Sequence, residues 1–527
     1  MKRLALYFCA FFLPVACGRD LSIPEPSSRA PKGEVFHGMI ELGEKLEDPY
    51  TVENMQKALS SVYPTKADRV DIHPTDLYVR FLPSSDADLQ RLRADGLYLL
   101  DHPMDYRIVR EGDYYVDPSL DPESITWQYA VVDSNYAFPE GIEHEILDHC
   151  YISEHDPDTR AALHDVDWRL VEEEAFRLTG NGDLLNLART KADALKPSGR
   201  ITISDPGFCE GKPVGLAGVI VACNVFVKVG FTHTDRDGYY SIPLEFTSDP
   251  RYRLVFQNHK GFSLGLNLVM LPASVSTLGS GGPGGIDYTI TQQDDASLMR
   301  RSAVNNAAYD YISRCTPQDL KISAPPADIR IWLIPLLSQS SAPMLHHGAG
   351  LDHELVKQYA GNYATAVKMF LPDITVGTYE ADTFAGLYNS TVHELAHASH
   401  FAQVGTEYWT PFISYIVYSY ITDRGAPYGH GNGEGAGQCA VGEMWAYFMA
   451  ATLNKDRYGG SLPSFPSWMW FRPEILSCLY ERGFSRDELF KALKKSVTTV
   501  DGLHQELATL YPQRQDIIDE AFSRYGK

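Results

Sequence analysis

The sequence predicts a multidomain α+β chain: a small N-terminal α+β domain, a β-rich middle module and a mostly helical C-terminal domain with a small sheet. Three observations lead there. A chain of 527 residues with 44% hydrophobic content can enclose several cores rather than one. The apolar period also changes along it, from short mixed segments before about Val132, to β-branched alternation from about Ile201 to Gln293, to helical spacing over most of the remainder. The balance of 46 Lys+Arg against 68 Asp+Glu leaves a net charge of −22, which argues against nucleic acid or anionic lipid as the main partner.

The N-terminus reads as a targeting segment. Lys2 and Arg3 make a positive start, Leu4 to Val15 an apolar stretch too short to span a bilayer, and Ala16-Cys17 a processing site. Residues 1–17 resemble a bacterial lipoprotein signal peptide, which implies that Cys17 carries lipid and that residues 18–34 form a tether. The resemblance implies an exported protein of the cell envelope, anchored at the outer membrane of a Gram-negative bacterium. Export permits disulfides, but the 8 cysteines are scattered without a C-x-x-C, so at most one or two bridges are expected, with Cys209 and Cys223 the first pair to test.

Residues 35–132 alternate element types: a helix at Val52-Leu59, a strand at Thr75-Pro83, a helix at Ala87-Asp95, then short strands at Tyr98-Leu100 and Tyr106-Val109. Residues 133–200 read as a helical connector, with the acidic run Glu172-Glu173-Glu174 inside a helical pattern from Arg160 to Leu178. In residues 201–293, Val219-Val229 is β-branched, Thr234-Asp235-Arg236-Asp237-Gly238 gives a turn, and Tyr239-Leu244 alternates again. This pattern is similar to that of the carboxypeptidase-regulatory-like, transthyretin-like family, which implies a β-sandwich in an accessory role. The carboxylates of the turn read as a hairpin tip, since the twelve-residue calcium loop of an EF-hand is absent.

Residues 294–527 carry the chemistry. A strand at Ala327-Leu336, a helix at Leu351-Phe370 and a strand at Asp373-Tyr379 precede the segment Leu387-Phe401, which holds a full H-E-x-x-H match. Side chains at i and i+4 share a helix face, so His393 and His397 can offer nitrogens to one Zn²⁺ while Glu394 reaches a water beside it. Asn389 or Ser390 would cap the helix. The look-alike Glu143-His149 spaces its histidines by five and reads as a surface decoy.

A catalytic zinc needs a third protein ligand and an open position. Four residues compete: His400 on the same helix, which would crowd the metal; His430 and Glu434 in the glycine-rich run Tyr428-Gly435, which would hold a ligand loosely; and Glu443 at the start of a helix followed by aromatics. H-E-x-x-H with a later helical Glu resembles the gluzincins, zincin metallopeptidases whose third ligand is a carboxylate, and the resemblance implies Glu443. The metzincin pattern is not met, because His400 and Gln403 stand where its Gly and third His belong. The strand–helix–strand–helix order is also similar to that of zincins, which implies that Ile374-Tyr379 borders the cleft and pairs with an extended substrate.

Together these readings resemble zinc-dependent metallopeptidase lipoproteins. They imply a Zn²⁺ cofactor, a protein or peptide substrate, hydrolysis through a zinc-activated water with Glu394 as general base, and Tyr428 and His430 as oxyanion partners on a loop whose glycines let it close over substrate. Two other classes stay open: a non-catalytic surface binding lipoprotein built on the zincin scaffold, and a structural zinc protein with His400 or His430 as a fourth ligand. Pro473-Tyr480, Arg486-Ser496 and Leu503-Phe522 read as closing helices, and Trp468-Phe471 as core.

Overall fold

A computed structural model describes residues 39–525 except 66–70, 113, 121–123, 158–165, 186–194, 266–272, 274, 294–295, 335–339, 351–371, 380–382 and 423–427. The signal segment, the tether with Cys17 and the expected helix at 351–370 lie outside the described residues. What is described is mixed α+β.

Strand β1 (Glu41–Lys45) and helix α1 (Val52–Val62) lead into β2 (Asp76–Leu82), whose alternate residues Leu77, Val79 and Phe81 enter a common core with Leu92 of α2 (Asp86–Ala94). Ser85 and Asp88 close a capping box at the start of α2. Strand β3 (Tyr106–Arg110) pairs with β1, while β4 (Gln128–Asp133) and β5 (Glu143–Cys150) flank β2 in an antiparallel sheet. The look-alike histidines thus sit on a strand, not a helix. The connector reading of 133–200 missed this strand because most of its residues face water and show no apolar alternation. Helix α3 (Trp168–Leu178) follows, capped by Asp167.

The middle segment supplies β6 (Ser198–Ile203), β7 (Val214–Gly215), β8 (Ile220–Val225), β9 (Lys228–His233), β10 (Tyr239–Ser241), β11 (Arg251–Val255), β12 (Gln257–Asn258), β13 (Phe262–Leu264), β14 (Val275–Ser280) and β15 (Tyr288–Ile290). One sheet runs β10-β6-β15 with β7 on β6, and another runs β14-β11-β8-β9. Ile201, Ile203 and Tyr240 of the first share a buried cluster with Val221, Tyr252 and Leu254 of the second. The turn Asp235–Gly238 carries the chain from one sheet to the other, so it is not the tip of a paired hairpin. Asp235 Oδ1 accepts from the backbone N–H groups of Asp237 and Tyr239, each at 2.9 Å, which occupies that carboxylate in holding the turn. The expected Cys209–Cys223 bridge is not formed: Cys209 is exposed on a loop, Cys223 is buried inside the sandwich, and both are free thiols. Burial pushes the Cys223 thiol up to about 12.

A charged cluster ties the first two segments together. Lys228 of β9 is only 1% exposed and places its ammonium 2.7 Å from Glu154 and 3.0 Å from Glu172 of α3. The second Glu172 oxygen accepts from the Tyr50 hydroxyl at 2.6 Å and the Thr247 hydroxyl at 2.8 Å. Each group is thereby paired, as burial of charge requires.

Helix α4 (Ala296–Arg314) precedes β16 (Ile329–Ile334) and β17 (Ile374–Gly377). Here the sheet order is β12-β13-β16-β17, with β13 parallel to β16 and β16 parallel to β17, so strands from before residue 293 complete the sheet of the C-terminal part. The outer edge of β17 is already taken. Ser341 and Thr375 exchange backbone hydrogen bonds of 2.9 and 2.7 Å, and the Met344 N–H reaches Asp373. This corrects the expectation that Ile374-Tyr379 offers an open edge to substrate, because β-augmentation needs unpaired backbone groups.

The remainder is helical: α5 (Phe384–Val404), α6 (Thr406–Thr422), α7 (Ala436–Tyr458), α8 (Glu474–Glu481), α9 (Arg486–Lys491), α10 (Val500–Leu510) and α11 (Gln515–Tyr525). The expected single helix Leu503-Phe522 is broken at Tyr511-Pro512, where proline disfavours a helical conformation in the residue before it. Among the described residues no helix is long and apolar enough to cross a membrane.

Candidate metal centre

Helix α5 begins earlier than its motif suggests. Thr383, not Asn389 or Ser390, is its N-cap, with its hydroxyl accepting from the Gly386 N–H, and Gly405 ends it at φ 79°. The two preceding turns bury Phe384, Leu387 and Tyr388, so the motif stands in mid-helix, where the ladder is complete and rigid. Neighbouring helices fix its rotation. The Tyr311 hydroxyl of α4 donates to Ser399 at 2.9 Å, the Tyr388 hydroxyl to Asp310 at 2.8 Å, and the Trp445 indole N–H of α7 to the Ala396 carbonyl at 3.2 Å.

On that frame the Nε2 atoms of His393 and His397 stand 3.2 Å apart. From α7, Glu443 places Oε2 3.4 Å from the first and Oε1 3.4 Å from the second. All three side chains are about 97% buried. Four donors at about 2.05 Å from a tetrahedral ion stand about 3.3 Å apart along each edge, so these separations fit zinc without movement of the helices. Glu394 is fully buried beside them, with a carboxylate oxygen grouped with the two imidazole nitrogens within 4.8 Å. Two overlapping triads therefore share the histidines. Glu443 has the spacing of a ligand.

Burial holds His393 below its ordinary value. Burial alone would raise the Glu443 carboxyl, but the imidazoles of His397 and His393 more than reverse this and hold it at about 2.

The other candidates are separated from this centre. His400 is fully buried, its ring lying 5.2 Å from Tyr408 and 5.6 Å from Trp409, with no hydrogen-bond partner at either nitrogen. Burial lowers it to about 3. His430 and Glu434 are exposed on the turn before α7. Of the two expected oxyanion groups, Tyr428 is at the site, its hydroxyl donating to Glu443 Oε2 at 3.3 Å, whereas His430 faces solvent.

Sequence reasoning missed Tyr447. Its ring lies 4.5 Å from that of His393 and its hydroxyl 3.4 Å from that of Tyr428. The signal was present, since Tyr447 follows Glu443 by one helical turn and must share its face.

The loop before α7 is tied down. The Tyr415 hydroxyl donates to the Tyr428 carbonyl at 2.7 Å and accepts from the Gly431 N–H at 2.9 Å, and the Trp470 indole donates to the same carbonyl at 3.0 Å. Two of its glycines, Gly431 and Gly435, serve close approach, to the Trp470 ring and to the Pro411 carbonyl. Gly435 caps α7 at φ 83°, and a Cβ there would lie 2.0 Å from the Pro411 carbonyl oxygen. Gly435→Ala should therefore cost at least about 1–2 kcal/mol from the left-handed conformation alone. A drop in the denaturation midpoint would show it; unchanged stability would refute it.

The stretch Trp468-Phe471 divides between core and rim. Phe471 is fully buried against Tyr428 and Tyr447, while Trp468 is 50% exposed and stacks on Tyr428 at 6.4 Å. Compared with known protein families, curated proteins and solved structures, the chain matches none.

Proposed function

We propose that the chain is a zinc-dependent metallopeptidase that hydrolyses peptide bonds, with His393, His397 and Glu443 as ligands and Glu394 as general base. The observation that carries this reading is the Nε2–Nε2–carboxylate triangle with sides of 3.2, 3.4 and 3.4 Å, formed by residues from two helices far apart in sequence. Zinc bound there would polarise a substrate carbonyl and acidify a water molecule. Glu394, fully buried beside the two histidines, would take a proton from water and return it to the leaving amine. The Tyr428 and Tyr447 hydroxyls are the donors available on the α7 side for negative charge developing on the carbonyl oxygen. Trp468, exposed at the rim, offers an apolar surface to a substrate side chain.

A general base distinguishes this reading from a binding scaffold or a closed structural site, since neither needs Glu394. Among the described residues no fourth imidazole or thiolate joins the group. Glu443→Ala should reduce metal content from one zinc per chain to a small fraction and abolish cleavage of an unstructured protein, as chelation should in the parent. Full metal occupancy in that variant would remove Glu443 from the ligand set.

A further inference from the structure

A second site lies between the N-terminal segment and the outer face of the sheet β14-β11-β8-β9. A cavity of about 190 Å³ is bounded by Tyr98 and His102 on one side and by Ile220, Phe231, Arg253 and Val255 on the other. That is more room than an engineered apolar cavity of about 150 Å³ that takes up benzene. It is separate from the centre on α5 and α7, none of whose residues line it.

Its charges are unusual for so acidic a chain. Arg253 is 3% exposed, and its guanidinium meets neutral groups, Asn224 Oδ1 at 2.6 Å and the Tyr98 hydroxyl, while its Nε has no partner. Among the described residues no carboxylate lies within ion-pair distance of it. Arg93 also lines the cavity, and the carboxylates of Asp86 and Asp328 act on it. The adjacent carboxylate, Asp101, is held by the His102 ring at 2.7 Å and the Tyr115 N–H at 2.6 Å. A buried guanidinium without a counter-charge is costly, and its planar fork suits a carboxylate. The remaining walls set apolar Ile40, Leu97, Ile220 and Val255 beside polar Gln128, Gln257 and Thr277, and Tyr98 stacks on Phe231 at 5.4 Å.

We propose that this cavity binds a small organic carboxylate with an apolar body, its anionic end on Arg253 and its body against Ile220, Val255 and the Tyr98–Phe231 pair. The acid neutralises the buried charge while its body fills space that inorganic anions leave wet. The site also joins two segments of the fold, so occupancy should stabilise the whole chain.

Isothermal titration of the full chain with hexanoate, hexan-1-ol and inorganic phosphate tests this. Hexanoate should bind once per chain, at least ten-fold more tightly than either of the others, and raise the melting temperature. Arg253→Met should abolish the binding, and Phe231→Asp, at a partly exposed position, should weaken it at least ten-fold with the fold retained. Absence of hexanoate binding, equal binding of hexan-1-ol or phosphate, or unchanged binding in a folded Arg253→Met or Phe231→Asp chain would each overturn the proposal.

Discussion

Glu394→Gln should keep one zinc per chain and lose about 10²–10⁴-fold in turnover, the range ascribed to a positioned general base. Glutamine has the shape of the carboxylate it replaces, so the packing of α5 should be undisturbed at this fully buried position. What disappears is the ability to take and return a proton. Metal analysis beside cleavage of a disordered protein substrate separates the roles of the two glutamates. Retained zinc with lost turnover is the signature of the base, whereas lost zinc would make Glu394 a ligand and displace Glu443 from that role. Turnover within a few-fold of the parent would remove Glu394 from the role of general base. The histidines provide the contrast, since His393→Ala removes one corner of a triangle whose sides are 3.2 and 3.4 Å and should lose metal and activity together.

Lys228→Met is the substitution expected to destabilise the fold most. The lysine is 1% exposed and neutralises Glu154 and Glu172 at once, so its removal strands Glu172, 6% exposed, as an unpaired buried carboxylate. Breaking a buried pair from one side costs about 3–5 kcal/mol, enough to unfold a marginal domain. Chemical denaturation of the full chain would read this as a lower midpoint. Lys228→Met combined with Glu172→Gln should recover part of the loss, because the stranded charge goes with its partner. Recovery to no degree, or a single variant as stable as the parent, would refute the assignment. Acid should act on the same cluster. Burial would push the Glu154 carboxyl up, but Lys228 more than reverses this and leaves it below its ordinary value. A depressed carboxyl contributes stability that is present above its unfolded pKa and is lost as the pH falls through its folded one, so the cluster should weaken below the ordinary carboxylate range.

How far the molecule could be read in advance depended on the distance over which each feature is encoded. His393, Glu394 and His397 were visible because helical spacing is local, and Glu443 because its helix begins after a glycine-rich break. Tyr447 was equally visible from its offset and was overlooked. Strand β5 was hidden, since its outward face is polar and its pairing with β2 reaches across α2, β3 and β4. The role of Glu172 could not have been seen. Within an acidic run it looks like a solvated face, and only Lys228, 56 residues away, turns it into part of the core. The outer edge of β17 is a similar case, because nothing in Ser340-Met344 marks it as the strip that closes that sheet.

Strand β13, which lies before residue 293 yet runs beside β16, makes the middle of this chain a graft rather than a bead on a string. A fragment begun at residue 294 would expose the raw flank of β16, with its ladder partners left behind on the discarded piece. The helices that hold His393, His397 and Glu443 thus inherit part of their footing from a stretch that supplies none of those three residues.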